Sequence, residues 1–208
     1  MATLPMFPLG SVLFPHAVLP LHVFEPRYRQ MIAECLAGSN EFGVVLIERG
    51  SEVGGGDVRF DVGTVARILR AGELEDGRWV LVAAGTERIR VREWLPDDPY
   101  PRADVARLTE PAAAVAPTLL DDLGRRLRRV LALRAELGDP TAGVDVSLAE
   151  DPVRASFEAA ALAAVGPLDA QGLLELDDAG ARLARVTQLL DEELAVLEFR
   201  LGDGEASS

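Results

Sequence analysis

Two strand-like runs, DVGTVARILRAGEL (Asp61–Leu74) and RWVLVAAGTERIRVREWL (Arg78–Leu95), decide how the N-terminal half of the chain folds. Asp76 and Gly77 lie between them. An Asp-Gly pair flanked by such runs predicts a β-hairpin, because both central positions of the tight turn need a positive φ angle. The sequence therefore predicts two long antiparallel strands here.

The second run contains an alternating stretch with arginines on one side. Arg88, Arg90 and Arg92 alternate with Ile89 and Val91. Successive side chains of a strand point to opposite faces, so this pattern predicts a solvent-exposed arginine face. A nucleic-acid contact along the three arginines is the alternative.

Further short strands are predicted on both sides of the hairpin. Thr3–Phe24 contains four prolines, which cannot donate to a sheet ladder, so we expect edge strands and corners there. Phe42–Ile47 is an apolar run typical of a buried strand, and Arg102–Leu108 resumes the strand pattern. Gly50–Asp57 predicts a flexible loop, and it lacks the lysine of a phosphate-binding loop. These five or six strands predict a largely antiparallel small barrel or folded sheet.

One helix is predicted within this strand-rich part. Apolar residues recur at helical spacing from Tyr28 to Leu36, behind Pro26 and before Gly38. A proline at the first helical position and a glycine after the last one fit the two ends of a helix. The apolar stripe predicts that Cys35 is a buried small hydrophobe rather than a reactive thiol.

After Glu110 the pattern is helical throughout. Asp151 before Pro152 predicts the start of one helix, and Asp177 or Asp178 predicts the start of the last one. The predicted organisation is a β-rich part with one helix at 1–110, a helical part at 117–202 and a disordered tail at 203–208.

The composition excludes most familiar enzymes. The 208 residues include 21 basic residues, all of them arginine, with two histidines and one cysteine. Without lysine there is no phosphate-loop lysine, no serine–lysine dyad and no Schiff base, and one cysteine forms neither an intramolecular disulfide nor a cysteine-based zinc site. His16 and His22 are interpreted as structural. We therefore predict no enzymatic activity, no catalytic or metal-binding residues, and no cofactor.

The charge and the termini limit the partners. The 34 acidic residues give a net charge of −13, which repels phosphate backbones and counts against nucleic acid. The N-terminus has no secretory pattern, and no apolar run reaches the roughly 18 residues of a membrane span. We expect a soluble cytoplasmic protein with no membrane partner.

A series of motifs runs in order from residue 3 to about residue 201. They are LPMFPL (Leu4–Leu9), VLFP (Val12–Pro15), LPLHVFEPRY (Leu19–Tyr28), FGVVLI (Phe42–Ile47), VGTVA (Val62–Ala66), GTERIRV (Gly85–Val91) and LLELD (Leu173–Asp177). In this order they resemble the N-terminal substrate-binding domain of Lon proteases, most of all its stand-alone bacterial form.

The resemblance implies an α+β fold with a PUA-like β-barrel subdomain followed by an α-helical bundle. It also implies polypeptide binding, since this region helps to select substrates in full-length Lon. The ATPase module and the serine–lysine protease domain of full-length Lon are absent from the sequence. We expect a non-catalytic module whose partner is unfolded or extended polypeptide, or another protein. RNA binding is the alternative, because PUA-like barrels elsewhere bind RNA.

Proline-rich corners suggest where polypeptide binds. Phe14 stands beside a proline, and Trp94, Leu95 and Tyr100 lie in a turn that contains three prolines. Aromatic side chains on rigid loops lose little conformational entropy on binding. We therefore predict that these four residues contact polypeptide. An ordinary place in the core is the alternative for Phe14 and Trp94.

Overall fold

The structure, a computed structural model, describes residues 2–50, 52, 56–139 and 146–205. Residues 51 and 53–55 of the predicted glycine-rich loop lie outside the described residues, as do 206–208 of the predicted tail. The described part contains six strands and five helices. They are β1 (Ala2–Leu9), β2 (Val18–Val23), α1 (Pro26–Ala37), β3 (Glu41–Arg49), β4 (Val58–Glu73), β5 (Trp79–Leu95), β6 (Arg102–Arg107), α2 (Pro117–Glu136), α3 (Pro152–Ala163), α4 (Pro167–Glu175) and α5 (Ala179–Glu205).

The strands form one mixed sheet in the order β2-β5-β4-β3-β1-β6. β5 also pairs with β6, so β5, β4, β3, β1 and β6 form a closed cycle of pairings. The prediction of antiparallel strands is correct except for β1 and β3, which are parallel. Parallel neighbours need a crossover connection, and α1 lies in the segment that joins them. A mixed sheet with helices confirms the predicted α+β class.

The predicted hairpin is confirmed between β4 and β5. Leu74 donates its N–H to the Arg78 carbonyl at 2.8 Å, and Gly77 in the turn has a φ of +76°. The φ angle of Asp76 is not positive, so the predicted positive φ at both central positions is correct for Gly77 alone. Two shifts of register interrupt the pairing of the two strands. Gly85 lies in this region, and a Cβ there would be 2.2 Å from the Phe14 carbonyl oxygen. Only glycine fits so close to the neighbouring backbone without displacing it.

Two apolar clusters form because successive side chains of each strand point to opposite faces. Met6 and Phe7 enter different clusters, and so do Val44 and Val45. The first cluster lies against α1 and includes Cys35, so the predicted burial of this thiol is confirmed. Its buried members are Phe7, Leu9, Leu13, Val23, Tyr28, Met31, Ile32, Cys35, Phe42, Val44, Ala66, Ile68, Leu81, Ala83 and Tyr100. The second cluster contains Leu4, Met6, Val45, Val65, Ile89, Val91, Ala103 and Val105.

The predicted arginine face of β5 is only partly correct. Arg90 and Arg92 are exposed, but Arg88 is fully buried, and its Nη1 donates to the Leu174 carbonyl at 2.8 Å. Leu174 belongs to α4, which packs against β4. The alternation along β5 does not reveal this helix, because Leu174 lies 86 positions further along the chain.

The chain divides into two compact units. The first contains Met1–Thr109 together with Pro167–Glu175, and the second contains Glu110–Gly166 together with Leu176–Ser208. The predicted division at residues 110–117 therefore misplaces α4, which belongs with the strands. This error has the same origin as the one at Arg88, since a helix remote in sequence completes the first unit.

The N-terminal ends of α3 and α5 in the second unit agree with the predicted caps. Asp151 accepts a hydrogen bond from the Arg154 N–H at 2.9 Å, and Asp178 accepts one from the Ala181 N–H at 2.7 Å. Both predicted helix starts are confirmed. The last helix, α5, continues to Glu205. The predicted disordered tail is therefore wrong for residues 203–205.

Replacement of the buried arginine tests the position of α4. We predict that Arg88→Ala lowers the free energy of unfolding by about 2–4 kcal/mol, because it opens a cavity and removes the donor to the Leu174 carbonyl. Arg90→Ala on the same strand should lower it by less than about 0.5 kcal/mol. Urea unfolding followed by tryptophan fluorescence measures both values, since Trp79 and Trp94 lie in the first unit. Small and equal decreases in the free energy of unfolding of the two variants would contradict the burial of Arg88.

Candidate functional site

β2, the N-terminal half of β5 and the C-terminal half of β4 form a three-stranded antiparallel sheet with two different faces. On one face, Leu81 and Ala83 of β5 are buried in the cluster against α1, where Leu19 and Leu21 also pack. The intervening residues point to the opposite side. We call this opposite side the outer face; its apolar members are Val18, Pro20, Val80, Val82 and Ala84.

The outer face is exposed although it is apolar. Val18 is 64% exposed, Pro20 is exposed, and Val80, Val82 and Ala84 are half-buried. An antiparallel sheet with one solvated face normally carries polar residues on that face. Contiguous apolar patches on a protein surface are places where other molecules bind. The outer face is therefore the candidate site of the first unit.

Larger apolar side chains and two cations lie around the three strands. Phe24, directly after β2, is 57% exposed, and Leu69 and Leu74 on the β4 side are also exposed. Arg67 and Arg70 of β4 are exposed and lie opposite Ala84 and Val82 of β5, so both border the outer face. An exposed phenyl ring offers a large apolar contact area at low entropic cost. These residues enlarge the surface available to an extended ligand.

The segment that contains β2 is unusually free of charge. Residues 1–24 contain no Asp, Glu or Arg, whereas the whole chain has a net charge of −13. β2 itself, with the sequence VLPLHV, has His22 as its single ionisable residue. The surface at β2 therefore offers apolar side chains and backbone groups rather than charges.

A shallow cleft of about 380 Å³ lies between α1 and the β4–β5 hairpin. Arg29 and Glu73 carry opposite charges there, so the cleft has no net charge to attract an ionic cofactor. Its lining residues are Pro26, Arg29, Gln30, Ala33, Glu73 and Trp79.

The four residues predicted to contact polypeptide do not form one surface. Phe14 is 4% exposed and Tyr100 is 6% exposed, whereas Trp94 and Leu95 are half-buried. The expectation that Phe14 and Tyr100 stay accessible is therefore wrong, and the alternative of a core position is correct for Phe14. The physical reason for Tyr100 is that the proline-rich turn folds back against α1. Its hydroxyl donates a hydrogen bond to Glu34 of that helix.

The Tyr100 hydroxyl and the Trp94 ring of this turn both make contacts within the protein. Burial, with a further contribution from the hydrogen bond to Glu34, raises the pKa of Tyr100 to about 12. The guanidinium carbon of Arg59 lies 4.5 Å from the centroid of the Trp94 ring. Trp94 also packs against the second cluster. The indole is thus partly covered by its own chain, and less of its surface is available to a ligand than the sequence predicts.

The titratable groups of the first unit offer little covalent chemistry. Burial, followed by the nearby charge of Glu34, raises the pKa of the Cys35 thiol to about 12. The thiolate is the reactive form of cysteine, so this side chain is a poor nucleophile. Within the described ranges no group of three or more His, Cys, Asp or Glu side chains is placed to hold a metal ion. None of the helices in those ranges has the length and apolar character needed to cross a membrane.

Comparison with known proteins gives the family. Residues 3–192 match the family model described as the ATP-dependent protease La (LON) substrate-binding domain. The chain belongs to this family. The resemblance drawn from the sequence motifs is thereby confirmed, and the matched family is a substrate-binding domain rather than a catalytic one.

The curated relatives are Lon proteases. Lon protease 2 of Sorangium cellulosum is 32% identical over 209 residues, which cover 95% of this chain and 26% of that protein. The Lon protease of Koribacter versatilis is 30% identical over 204 residues, covering 95% of this chain and 25% of that protein. The chain therefore spans about a quarter of the length of these relatives.

Solved structures agree with the α+β fold. The Lon N-terminal domain protein of Xanthomonas campestris has a TM-score of 0.69 and 28% identity, covering 90% of this chain and 98% of that one. The N-terminal domain of a Mycobacterium avium complex Lon protease has a TM-score of 0.64 and 18% identity, covering 91% and 98%. The second likeness concerns the fold alone.

The exposure of the outer face is testable with introduced thiols, because the single native cysteine is buried. We predict that Val18→Cys reacts with a maleimide at least about 100-fold faster than Val23→Cys on the same strand, since Val23 is buried. The wild-type protein should react only after unfolding. Mass spectrometry over a labelling time course measures all three rates. Equal rates for the two introduced thiols would contradict the exposure of the outer face.

Proposed function

We propose that this chain is a non-catalytic module that binds unfolded or extended polypeptide, with the outer face as its contact surface. The single observation that carries the proposal is the exposure of apolar residues across two paired strands, from Val18 on β2 to Val82 on β5. Membership of a substrate-binding domain family supports the choice of polypeptide as the ligand.

The chemistry of the outer face suits an unfolded chain. Folded proteins bury most of their large apolar side chains, so a flat apolar surface discriminates against them without reading a sequence. Apolar contact is non-directional and scales with the area removed from water. We expect weak binding, with a Kd on the order of 100 μM, which corresponds to roughly 5.5 kcal/mol. The net charge of −13 favours clients with basic flanks, mainly through faster association.

The alternative of RNA binding has less support than polypeptide binding. We infer that the closed cycle of five strands is the PUA-like barrel implied by the resemblance, and such barrels elsewhere bind RNA. The predicted arginine face of β5 offers a nucleic-acid contact as the alternative to a solvated surface. Because Arg88 is buried, only Arg90 and Arg92 of that face are exposed, and the exposed Glu93 follows them directly. Two arginines beside a carboxylate give little attraction for a phosphate backbone.

Titration with a permanently unfolded protein tests the proposed function. The probe is fluorescently labelled, reduced and carboxymethylated α-lactalbumin, and fluorescence anisotropy reports binding. We expect the double variant Val18→Ser with Val82→Ser to bind at least about fivefold more weakly than wild type, because it removes apolar contact area. Val58→Ser is the matched control, since Val58 is 49% exposed at the opposite end of β4. It should bind like wild type.

Two further measurements distinguish the outer face from the turn as the binding site, and polypeptide from RNA as the ligand. Trp94→Ala tests the turn predicted from the sequence, and we expect a smaller loss there than on the outer face. Circular dichroism confirms that each variant is folded. No binding by wild-type protein up to about 100 μM would contradict the proposed function. A loss in Trp94→Ala without any loss in the outer-face variant would move the site to the turn, and tight binding of a single-stranded RNA with no binding of α-lactalbumin would favour the RNA alternative.

A further inference from the structure

The outer strand of the three-stranded sheet has a free hydrogen-bonding edge. β2 is the terminal strand of the sheet and pairs with β5 alone. No other backbone hydrogen bond reaches residues 18–23 from the part of the chain that the structure describes. A row of unpaired N–H and C=O groups along such an edge is a template for another extended chain.

The register between β2 and β5 shows which backbone N–H and C=O groups of β2 are unpaired. Ala17 accepts a hydrogen bond from the Gly85 N–H at 2.9 Å, which sets the alternation along β2. Antiparallel partners alternate between bonded and non-bonded pairs, so the peptide groups of residues 19, 21 and 23 face β5. Those of Val18, Pro20 and His22 point away from the sheet. The free edge therefore offers three carbonyl acceptors and two N–H donors, because Pro20 has no N–H.

This edge lacks the usual protection by charge. Natural edge strands are guarded by charged side chains, by bulges or by proline. β2 has no Asp, Glu, Lys or Arg, and Pro20 at its centre is the one guard of these kinds in its sequence. A central proline interrupts a hydrogen-bonded ladder without abolishing it. The edge therefore permits limited, reversible pairing and disfavours continuous aggregation.

We propose that β2 captures an extended, largely uncharged segment of an unfolded polypeptide as an additional antiparallel strand. This inference rests on the proposed function and names the means of binding. In antiparallel pairing, the client residues opposite Val18, Pro20 and His22 point their side chains to the same side as these residues and so extend the outer face. Their N–H groups bond to the three free carbonyls. Main-chain bonds supply sequence-independent affinity, and apolar side chains at alternate positions supply the remainder.

The occupant follows from the chemistry of the edge. Half-buried Leu19 and Leu21 border the added strand on its other face, so apolar or small residues fit there as well. Because β2 carries no acidic or arginine side chain, the captured segment needs no charge of its own. Binding of an uncharged segment should therefore change little between low and high salt, unlike a contact between surface charges.

Selective N-methylation tests the main-chain bonds directly. The probe is a labelled ten-residue peptide in which four threonines and four valines alternate between terminal lysines. One derivative is N-methylated at the valines and the other at the threonines, so that both lose the same number of N–H groups. We expect the valine-methylated peptide to bind at least about tenfold more weakly. The threonine-methylated peptide should bind like the parent, because those N–H groups point away from β2.

A gain-of-function variant provides the second test. Pro20→Val adds the missing N–H at the centre of the edge and keeps an apolar side chain of similar size. We expect it to bind the parent peptide about fivefold more tightly, the effect of one net hydrogen bond. Pro20→Ala adds the same N–H with a smaller side chain and should share most of the gain. A purely side-chain contact would not tighten in both variants.

The outcomes separate this inference from the proposed function. Loss confined to one alternate set of methylated positions, with tighter binding by both Pro20 variants, supports strand addition. Equal effects of the two methylation patterns overturn it, and the proposed function still stands if unfolded α-lactalbumin binds wild type. Sedimentation velocity shows whether Pro20→Val makes the protein self-associate. Self-association without any gain in peptide affinity would assign the edge to a second copy of this chain and would also overturn the proposal.

Discussion

β5 is the strand on which the first unit depends, because it is hydrogen-bonded to three other strands. Its N-terminal half pairs with β2, its C-terminal half pairs with β6, and β4 pairs with both halves. The first set of bonds builds the three-stranded sheet, and the second closes the cycle of strands. Gly85 lies where the two sets meet, and its missing side chain lets the backbone at Phe14 approach. A larger residue at this position would disturb both parts.

Successive side chains of β5 point alternately into the buried core and onto the outer face. Leu81 and Ala83 are buried against α1 and contribute to the core, while Val80 and Val82 point to the outer face. Polar residues at the two valine positions would leave the packing against α1 unchanged, because their side chains lie on the other side of the sheet. Their apolar character is consistent with the proposed contact between the outer face and polypeptide.

Local signals predicted the local structure well. The Asp76-Gly77 hairpin, the helix behind Pro26 and the cap at Asp151 follow from a few neighbouring residues, and the structure contains all three. Contacts between remote segments were missed, because alternation along one strand does not report what covers it. The burial of Arg88 by α4 is an example. The outer face was also missed, because the residues from Val80 to Ala84 are all apolar and their sequence does not show which of them face solvent.

The central claim is that unfolded polypeptide binds along β2 and the outer face. The most direct measurement is an NMR titration of the ¹⁵N-labelled protein with unlabelled, carboxymethylated α-lactalbumin. The account predicts chemical-shift changes concentrated at residues 18–23 and 80–84, and slower amide exchange at Val18 and His22, whose N–H groups become bonded. Shift changes confined to residues 92–101 or to the helical unit, with the β2 amides unaffected, would contradict it.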